Sequence, residues 1–364
     1  NGAAYVFERD ASGTWAEVQK LLASDKASSY HFGYGVSISG NYAVVGSPGH
    51  DDGGLFDNGA AYVFERNTSG NWTEVQKLLA SDKAQGDRLG ESVSVSGDDI
   101  IVGARFHDSS GFLDNGAAYI FSRNALGNWT QVQKLSASDQ AYQSRFGSGV
   151  SISGDSVIVG AAEKNRSTGA AYVFVRDNTG NWSEARKLLA SDFSTGDAFG
   201  NSVSISGRYT LIGAYRKSDS GTLGNGAAYF FENEDKGWIM PAVLDQHCGS
   251  NNLTLTAPTA TDNCAGSITA TTADPTSFTI PGRYGVNWTY DDGNGNSTKQ
   301  YQKVIFAADK TAPIPNAGSP LPLDFNEVKK ALASDKTSGD RFGWSTAISD
   351  DYAIVGAPFE SDGQ

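Results

Sequence analysis

The chain has 364 residues, with 28 Lys and Arg against 41 Asp and Glu, a formal net charge of −13. So acidic a chain offers no broad cationic face to a phosphate backbone or an anionic bilayer, so no nucleic-acid partner is expected. No apolar run approaches the roughly 18 residues of a membrane-spanning helix, so no membrane insertion is expected either. The 43 glycines break the 39% hydrophobic residues into short pieces, a pattern that points to an all-β protein. The sequence opens Asn1-Gly2-Ala3-Ala4 without a basic region or an apolar signal core, and reads as processed, trimmed or cut from a longer protein.

Residues 2–8 and 15–22 read as two strands. Their motif, Gly-Ala-Ala-Tyr followed by apolar residues, then recurs with tyrosines at Tyr5, Tyr62, Tyr119, Tyr172 and Tyr229. A second string, Ala-Ser-Asp, places Asp25, Asp82, Asp139, Asp192 and Asp335 in register. A third, Phe-Gly or Leu-Gly, starts at Phe32, Leu89, Phe146, Phe199 and Phe342. The intervals are 57 residues, with one of 53 and a last of 143 for the second and third strings. One copy is best resolved into strands. Residues 146–153 alternate apolar and small polar, Gly154-Asp155 makes a hairpin turn, and 156–161 are β-branched. Residues 169–176 form a third strand and 182–188 a fourth. Four antiparallel strands at this period describe a propeller blade. A β-solenoid or a string of small sandwiches fits less well, because a solenoid coil is usually shorter and a sandwich needs more strands.

The long interval marks an insertion of about 86 residues between the third and fourth strands of the fourth copy, which resumes near Glu327-Val328-Lys329-Lys330. The inserted segment is threonine-rich and holds Cys248, Cys264 and most prolines. Strands are expected at 267–272, 283–290 and 300–306, with a hairpin turn at 291–296, a pattern that suits a small β-sandwich. Two cysteines without other metal-ligand spacing favour a disulfide over a zinc site. At the C-terminus, 342–349 and 352–358 supply the first two strands of a blade whose last two are at the N-terminus. The expected fold is therefore all-β, a five-bladed β-propeller with one blade split between the chain ends and an inserted Ig-like β-sandwich. The expected domains are 1–239 and 321–364 for the propeller and 240–320 for the insert with its proline-rich linker.

The Phe-Gly pairs, Gly356-Ala357-Pro358 with its variants Gly46-Ser47-Pro48 and Gly103-Ala104-Arg105, and the Gly-Ala-Ala-Tyr-Val-Phe strand resemble the FG-GAP repeat family, which builds integrin α-subunit propellers and many bacterial surface proteins. The resemblance implies a secreted or cell-surface propeller used in binding or adhesion. The integrin-type calcium loop does not carry over, because the first two strands are joined by turns as short as 39–42 (Ser-Gly-Asn-Tyr), with no room for an oxygen cage. Family propellers commonly have seven blades; five are counted here. The insert resembles the hyalin-repeat (HYR) family of Ig-like modules, through Ala257-Pro258-Thr259-Ala260-Thr261-Asp262-Asn263-Cys264, Pro281-Gly282-Arg283-Tyr284, the segment 288–296 and Asp309-Lys310-Thr311-Ala312-Pro313. That resemblance implies a Cys248–Cys264 disulfide and a spacer or adhesive role.

Few residues suggest chemistry. Catalysis by paired carboxylates needs unique acids, whereas Asp25, Asp82, Asp139, Asp192 and Asp335 repeat and read as turn or capping groups, so no enzyme is expected. His50 and His107 read as exposed loop residues. Calcium is the one cofactor suggested: Asp51, Asp52 and Asp57, then Asp108 and Asp114, lie in glycine-rich loops and are hard oxygen ligands. A solvated acidic turn accounts for them more simply. Trp15, Trp72, Trp129, Trp182 and Trp238 recur at the start of each fourth strand and read as packing between repeats, with a sugar-stacking platform as the sharper alternative. The expected function is non-enzymatic adhesion or binding, to a protein or glycan on a cell surface or to further copies of the chain. A structural subunit of a surface appendage and a lectin-like propeller are the alternatives, and a glycosidase is the least favoured.

Overall fold

A computed structural model describes residues 2–9, 13–109, 111–177, 179–218, 223–233, 238–245, 253–262, 266–278, 282–291, 293, 297–306, 325–332, 341–349 and 352–357. The chain divides into two compact units, Asn1–Glu232 with Phe325–Gln364, and Asn233–Asp324.

The first unit opens with β1 (Ala4–Arg9) and β2 (Trp15–Leu21), an antiparallel pair. Four four-stranded antiparallel sheets follow. The first holds β3 (Val36–Ser39), β4 (Tyr42–Ser47), β5 (Ala60–Arg66) and β6 (Trp72–Leu78). The second holds β7 (Val93–Ser96), β8 (Asp99–Ala104), β9 (Ala117–Arg123) and β10 (Trp129–Leu135). The third holds β11 (Phe146–Ser153), β12 (Ser156–Ala161), β13 (Ala170–Arg176) and β14 (Trp182–Leu188), with a four-residue turn, α1 (Lys164–Ser167), between its second and third strands. These strands match the sequence expectation almost residue for residue. The fourth holds β15 (Phe199–Ser206), β16 (Tyr209–Ala214) and β17 (Ala227–Asn233), and its last strand comes from beyond the insertion.

The insertion contains β18 (Trp238–Asp245), β19 (Leu253–Thr254), β20 (Thr259–Asp262), β21 (Gly266–Thr269), β22 (Ser277–Phe278), β23 (Gly282–Asp291) and β24 (Ser297–Phe306). β18 runs parallel to β24, which pairs antiparallel with β23. Val286, Trp288 and Tyr290, alternate residues of β23, pack with Leu255 and Ala270 into a small separate core. Here Trp238 departs from expectation. It starts a strand of the inserted unit, and β25 (Phe325–Ala331) completes the fourth sheet beside β17. Phe325 therefore holds the place that Trp182 holds in the third sheet. Trp238 resembles the repeat's own tryptophan because it follows Tyr229 by 9 residues, one fewer than in the other copies. Cys248 and Cys264 lie outside the described residues, as do Asp335 and the segment 307–324. The first unit ends with β26 (Ser345–Ser349) and β27 (Tyr352–Gly356), a second isolated antiparallel pair.

The first strands of successive sheets, β3, β7, β11, β15 and β26, neighbour one another, so the sheets stack side by side with these strands innermost. Glycine makes this possible. Gly46 of β4 lies against the backbone of Gly90 in the next sheet, and a Cβ there would sit inside the van der Waals radius of the Gly90 carbonyl oxygen. Gly90 itself adopts φ 98°, open to glycine, and its own missing Cβ would strike the Ala60 carbonyl. The same contact recurs as Gly103 on Gly147, Gly160 on Gly200 and Gly213 on Gly343. Serine adds hydrogen bonds to the seam: the hydroxyl of Ser37 accepts from Val95 N (3.1 Å), Ser94 from Ile152 N (3.1 Å), Ser151 from Ile205 N (3.1 Å) and Ser204 from Ile348 N (3.0 Å). At the outer strands a glutamine side chain grips the next sheet's tryptophan backbone at both ends. Gln76 Nε2 donates to Trp129 O (2.6 Å) while Trp129 N donates to Gln76 Oε1 (2.8 Å). Gln19 and Gln133 do the same for Trp72 and Trp182.

Gly103→Ala is expected to destabilise the first unit by at least about 3 kcal/mol, because the added methyl meets backbone that has no rotamer to move. Gly97→Ala, in a turn with nothing near its missing Cβ, is the control and should cost about 1–2 kcal/mol through its φ of 57° alone. Denaturant unfolding of the two variants measures the difference.

Candidate functional site

Four of the repeated aspartates, Asp25, Asp82, Asp139 and Asp192, are junctions between consecutive repeats. Asp25 Oδ1 accepts from Tyr62 OH on β5 at 2.6 Å, and Asp25 Oδ2 from Lys77 Nζ on β6 at 2.9 Å, with His50 Nε2 3.1 Å away. Asp82 takes Tyr119 OH (2.8 Å) and Lys134 Nζ (2.7 Å), Asp139 takes Tyr172 OH (2.6 Å) and Lys187 Nζ (2.8 Å), and Asp192 takes Tyr229 OH (2.7 Å) and Lys330 Nζ (2.7 Å). These aspartates are inter-repeat ties rather than local caps. His50 and His107 are not exposed as expected: they are 1% and 4% accessible. His107 Nδ1 lies 3.0 Å from Asp87 Oδ2, and its Nε2 accepts from Lys134 Nζ at 2.7 Å. Lys164 and Lys217 take the histidines' place in the third and fourth sheets, beside Asp139 and Asp192. Burial works to raise the aspartate carboxyls, but the Tyr, Lys and His donors outweigh it, holding Asp25, Asp82 and Asp192 below the ordinary range and Asp139 down to about 2. Burial, reinforced by the facing carboxylates, pushes the Tyr62, Tyr119 and Tyr172 hydroxyls far up.

The acidic loops are organised by their own backbone. Asp51 Oδ1 accepts from Asp57 N (2.8 Å) and Asp108 Oδ1 from Asp114 N (2.7 Å), and Asp52 pairs with Lys83 at 2.8 Å. Asp57 and Asp114 take left-handed backbone (φ 51° and 48°) and offer their carbonyls to Arg88 N and Arg145 N, both at 3.0 Å. Among the described residues, no three His, Cys, Asp or Glu side chains converge as a metal site. Trp72, Trp129 and Trp182 are buried, and Trp129 meets Tyr42 of the preceding sheet edge-on at 5.5 Å, so these three present no stacking platform to solvent. Trp15, by contrast, is 65% exposed.

One group of residues that do not repeat is gathered at the end where each first strand starts. In an antiparallel sheet, the start of strand one, the end of strand two and the start of strand three share an end. Here the residue before each Phe-Gly or Leu-Gly pair is left-handed in every copy (His31, Arg88, Arg145, Ala198, Arg341), so the turn belongs to the scaffold and the side chain is free to vary. Arg88, Arg145 and Arg341 stand there, and Arg105 and Arg216 follow the ends of β8 and β16. Arg105 grips Glu91 through Nε and through Nη2 at 3.4 Å, with Arg88 Nη1 at 3.8 Å. The Glu91 side chain is 6% exposed. Burial pushes its carboxyl up, and Arg105, Arg88 and Arg145 pull it back only in part. Three guanidinium groups surround the ring of Phe106, Arg105 at 4.8 Å, Arg145 at 4.9 Å and Arg88 at 5.2 Å from its centroid. Arg145 and Arg216 then share Glu163 Oε1, at 3.7 and 3.5 Å. Arg216 lies 4.9 Å from the Tyr215 ring, which meets Trp344 edge-on at 4.7 Å, with Arg341 5.5 Å from the Trp344 ring. The result is one continuous belt of five guanidinium groups, two carboxylates and three aromatic rings. None of its residues was singled out from the sequence. The signal was there: laying the copies over one another and asking which positions fail to repeat isolates them.

Stacked four-stranded antiparallel sheets with their first strands innermost define a β-propeller-like repeat protein. The sequence matches the FG-GAP repeat family over residues 15–64, 72–121, 129–174, 182–231 and 325–364, more than half of the chain, and the protein belongs to that family. Each matched segment begins on the fourth strand of one sheet and, where complete, ends on the third strand of the next, so the family's unit straddles the inter-repeat seam. No curated protein matches the sequence. Among solved structures, the crystal structure of Sqt1 from Chaetomium thermophilum is similar at 10% identity over 55% of this chain and 43% of that one, with a TM-score of 0.33, too slight a likeness to carry an inference.

The aspartate ties make a pH prediction. Their carboxyls ionise at lower pH in the folded chain than the roughly 3.9 of an unfolded aspartate, so the unfolded state binds more protons between about pH 4 and 2. The stability they add is complete above that window and is lost as pH falls through it. The thermal midpoint is expected to drop steeply from pH 4 to pH 2, and Asp139→Asn to flatten that drop while lowering stability at pH 7 by about 1 kcal/mol. Calorimetry across pH 2–7 on both proteins measures it.

Proposed function

We propose that this chain is a non-enzymatic binding protein of the cell exterior, in which the propeller presents the arginine belt to a partner. The belt is the observation that carries the reading. The recurring chemistry-bearing residues, Asp, Tyr and Lys, are engaged with one another across four described seams. The belt's residues are not shared between repeats, meet at one end and are partly exposed, Arg88 to 45% and Arg216 to 47%. Function in a repeat scaffold is carried by such positions, because the scaffold does not depend on them. Glu91 and Glu163 are the unique carboxylates that a glycosidase would need, but each is held by two arginines, an arrangement suited to positioning rather than proton transfer. The extracellular setting rests on the family resemblance and on the Cys248, Cys264 pair. The inserted unit serves in this reading as an HYR-like, Ig-like spacer or second contact.

The test is direct. Labelled protein is applied to arrays of glycans and of cell-surface proteins beside the Arg145→Ala/Arg216→Gln variant. At least one ligand should be retained by the first, weakened in the second and released chemically unchanged. Binding to nothing, binding indifferent to the variant, or turnover of the bound ligand would overturn the reading.

The same reading completes a fifth blade from the two half-sheets. Among the described residues, β27 and β1 each pair with a strand on one side alone, and their faces are exposed where the repeats are buried. Tyr5, Phe7 and Trp15 are 50%, 53% and 65% exposed against 0%, 3% and 5% for Tyr62, Phe64 and Trp72, and Ile354 is 71% exposed against 0% for Val44. The β4–β5 register pairs Val44 with Val63, so its counterpart would pair Ile354 with Val6. Val6→Cys/Ile354→Cys should therefore form a disulfide within one chain under mild oxidation, read by peptide mapping. A disulfide between two chains would assign the edges to another copy, and unreacted thiols would remove the fifth blade.

A further inference from the structure

We propose that the turns leading into β6, β10 and β14 are sites of N-linked glycosylation, with Asn71, Asn128 and Asn181 as the acceptors. The inference rests on the extracellular setting of the proposed function and adds a modification at the end of the sheets away from the belt.

The triplets Asn71-Trp72-Thr73, Asn128-Trp129-Thr130 and Asn181-Trp182-Ser183 carry the Asn-x-Ser/Thr pattern at which an asparagine amide takes a sugar. A short pattern arises often by chance, and what distinguishes these three is their setting. The asparagine and the hydroxyl residue flank the tryptophan and are exposed in all three sheets. The tryptophan between them is buried, at 5%, 2% and 3% exposure.

The asparagine side chain does not build the turn. That is done by the residue four positions earlier. Asn67 Oδ1 accepts from Ser69 N and Asn71 N, both at 3.0 Å. Asn124 Oδ1 accepts from Leu126 N (2.9 Å) and Asn128 N (3.1 Å), and Asp177 Oδ1 from Thr179 N (2.8 Å) and Asn181 N (3.0 Å). The acceptors enter these bonds through their backbone; Asn181 Nδ2 also gives one of its two hydrogens to Thr179 Oγ1 at 2.7 Å. The β1–β2 turn has Thr14 at this place and its strands still pair.

The two ends of the triplet also come and go together. The other copies, Thr14-Trp15-Ala16 and Asp324-Phe325-Asn326, have neither the asparagine nor the hydroxyl, and none of the five has one without the other. Strands form in all five, so the pairing answers to a requirement outside the fold. Elsewhere the same pattern is engaged by the structure. Asn67 caps its own turn, and Asn287 Nδ2 donates to Asp274 Oδ2 at 2.9 Å. Ser167, the hydroxyl of the Asn165 triplet, donates to Glu163. Asn252 and Asn296 lie outside the described residues.

The donor is an oligosaccharide held on a membrane lipid through a diphosphate. Asparagine Nδ2 bonds to the anomeric carbon, the bond from that carbon to the diphosphate oxygen breaks, the diphosphate leaves with the electron pair, and Nδ2 gives up one proton. The transferase takes the triplet before the sheet closes, because the middle residue is buried afterwards. Once the chain is folded, both ends of the triplet face solvent and the glycan does not oppose packing.

Position gives the modification a consequence. The third strand's end bonds to the turn between the first two strands, Arg66 N to Asn41 O (2.8 Å), Arg123 N to Asp98 O (2.8 Å) and Arg176 N to Asp155 O (2.9 Å). These turns share the end of the sheets opposite the belt. Three neighbouring sheets thus carry their sugars at one end and leave the other open to a partner.

Peptide mapping of the full chain recovered from its own cells, separated into exterior and cytosolic fractions, tests this. An amidase that releases the glycan leaves aspartate at each occupied asparagine, which peptide mass reads. The exterior chain should be occupied at two or more of Asn71, Asn128 and Asn181, and bare at Asn67, Asn165 and Asn287. Thr73→Val, a change of one exposed strand residue for another strand former, should abolish occupancy at Asn71 and leave Asn128 and Asn181 as they were. An exterior chain occupied at fewer than two of the three, or chiefly at the engaged asparagines, would overturn this inference and leave the binding reading standing. Undiminished occupancy of Asn71 in Thr73→Val would remove the triplet as the cause and overturn it likewise. A chain confined to the cytosol would overturn both.

Discussion

The contact on which the first unit depends is backbone against backbone. Where Gly46 meets Gly90, and at its three counterparts, two sheets approach until no Cβ fits between them. That approach brings the first strands close enough for Ser37 to accept from the Val95 amide, and the outer strands close enough for Gln76 to span the Trp129 peptide groups. It also carries Asp82 to within hydrogen-bonding distance of Tyr119 and Lys134 in the following sheet. A larger residue at the glycine would weaken all of these together. The motif is therefore a spacing device: two glycines set the distance, and serine, glutamine and aspartate tie across it. A sheet in such a stack has nearest-neighbour ties alone, so its stability is set locally, seam by seam.

The same seam explains why chemistry-bearing residues in the repeat are poor candidates for function. Tyr62 is wholly buried and donates to an aspartate held below its ordinary range. Its own ionisation is pushed far up, so it serves as a fixed donor and cannot act as an acid or base near neutrality. His107, between Asp87 and Lys134, is likewise a structural joint. The exchange of His50 and His107 for Lys164 and Lys217 at one position shows what that joint requires: a nitrogen-bearing side chain that reaches to within 4 Å of the preceding repeat's aspartate.

Much of the fold is legible in the sequence because repetition amplifies weak strand signals. A run such as Ser156-Val157-Ile158-Val159 is ambiguous alone and decisive at its fifth appearance in register. The strands of the third sheet are accordingly foreseen nearly to the residue. Errors arise where repetition misleads or ends. Trp238 follows its tyrosine by 9 residues where the other copies have 10, and it belongs to another sheet; a one-residue difference is easily absorbed in a turn and does not by itself mark a strand that opens the next unit. The histidines look exposed because loops usually are, and their burial depends on an aspartate some 20 to 25 residues upstream. The belt escapes notice for the opposite reason: repeat-seeking discards its residues as noise.

An acidic chain with a cationic belt is not a contradiction once distance is considered. At physiological ionic strength the screening length is about 8 Å, so carboxylates farther off contribute little at the belt. In the proposed role, guanidinium groups spaced by shared glutamates and stacked on Phe106, Tyr215 and Trp344 would act on a ligand at contact range, where screening is weak. The two glutamates make this arrangement possible. Without Glu91 between Arg88 and Arg105, or Glu163 between Arg145 and Arg216, like charges would crowd with nothing to hold them in place. The glutamates organise the arginines, the aromatic rings fix the planes in which they lie, and the glycine seam brings side chains from four successive repeats into one surface.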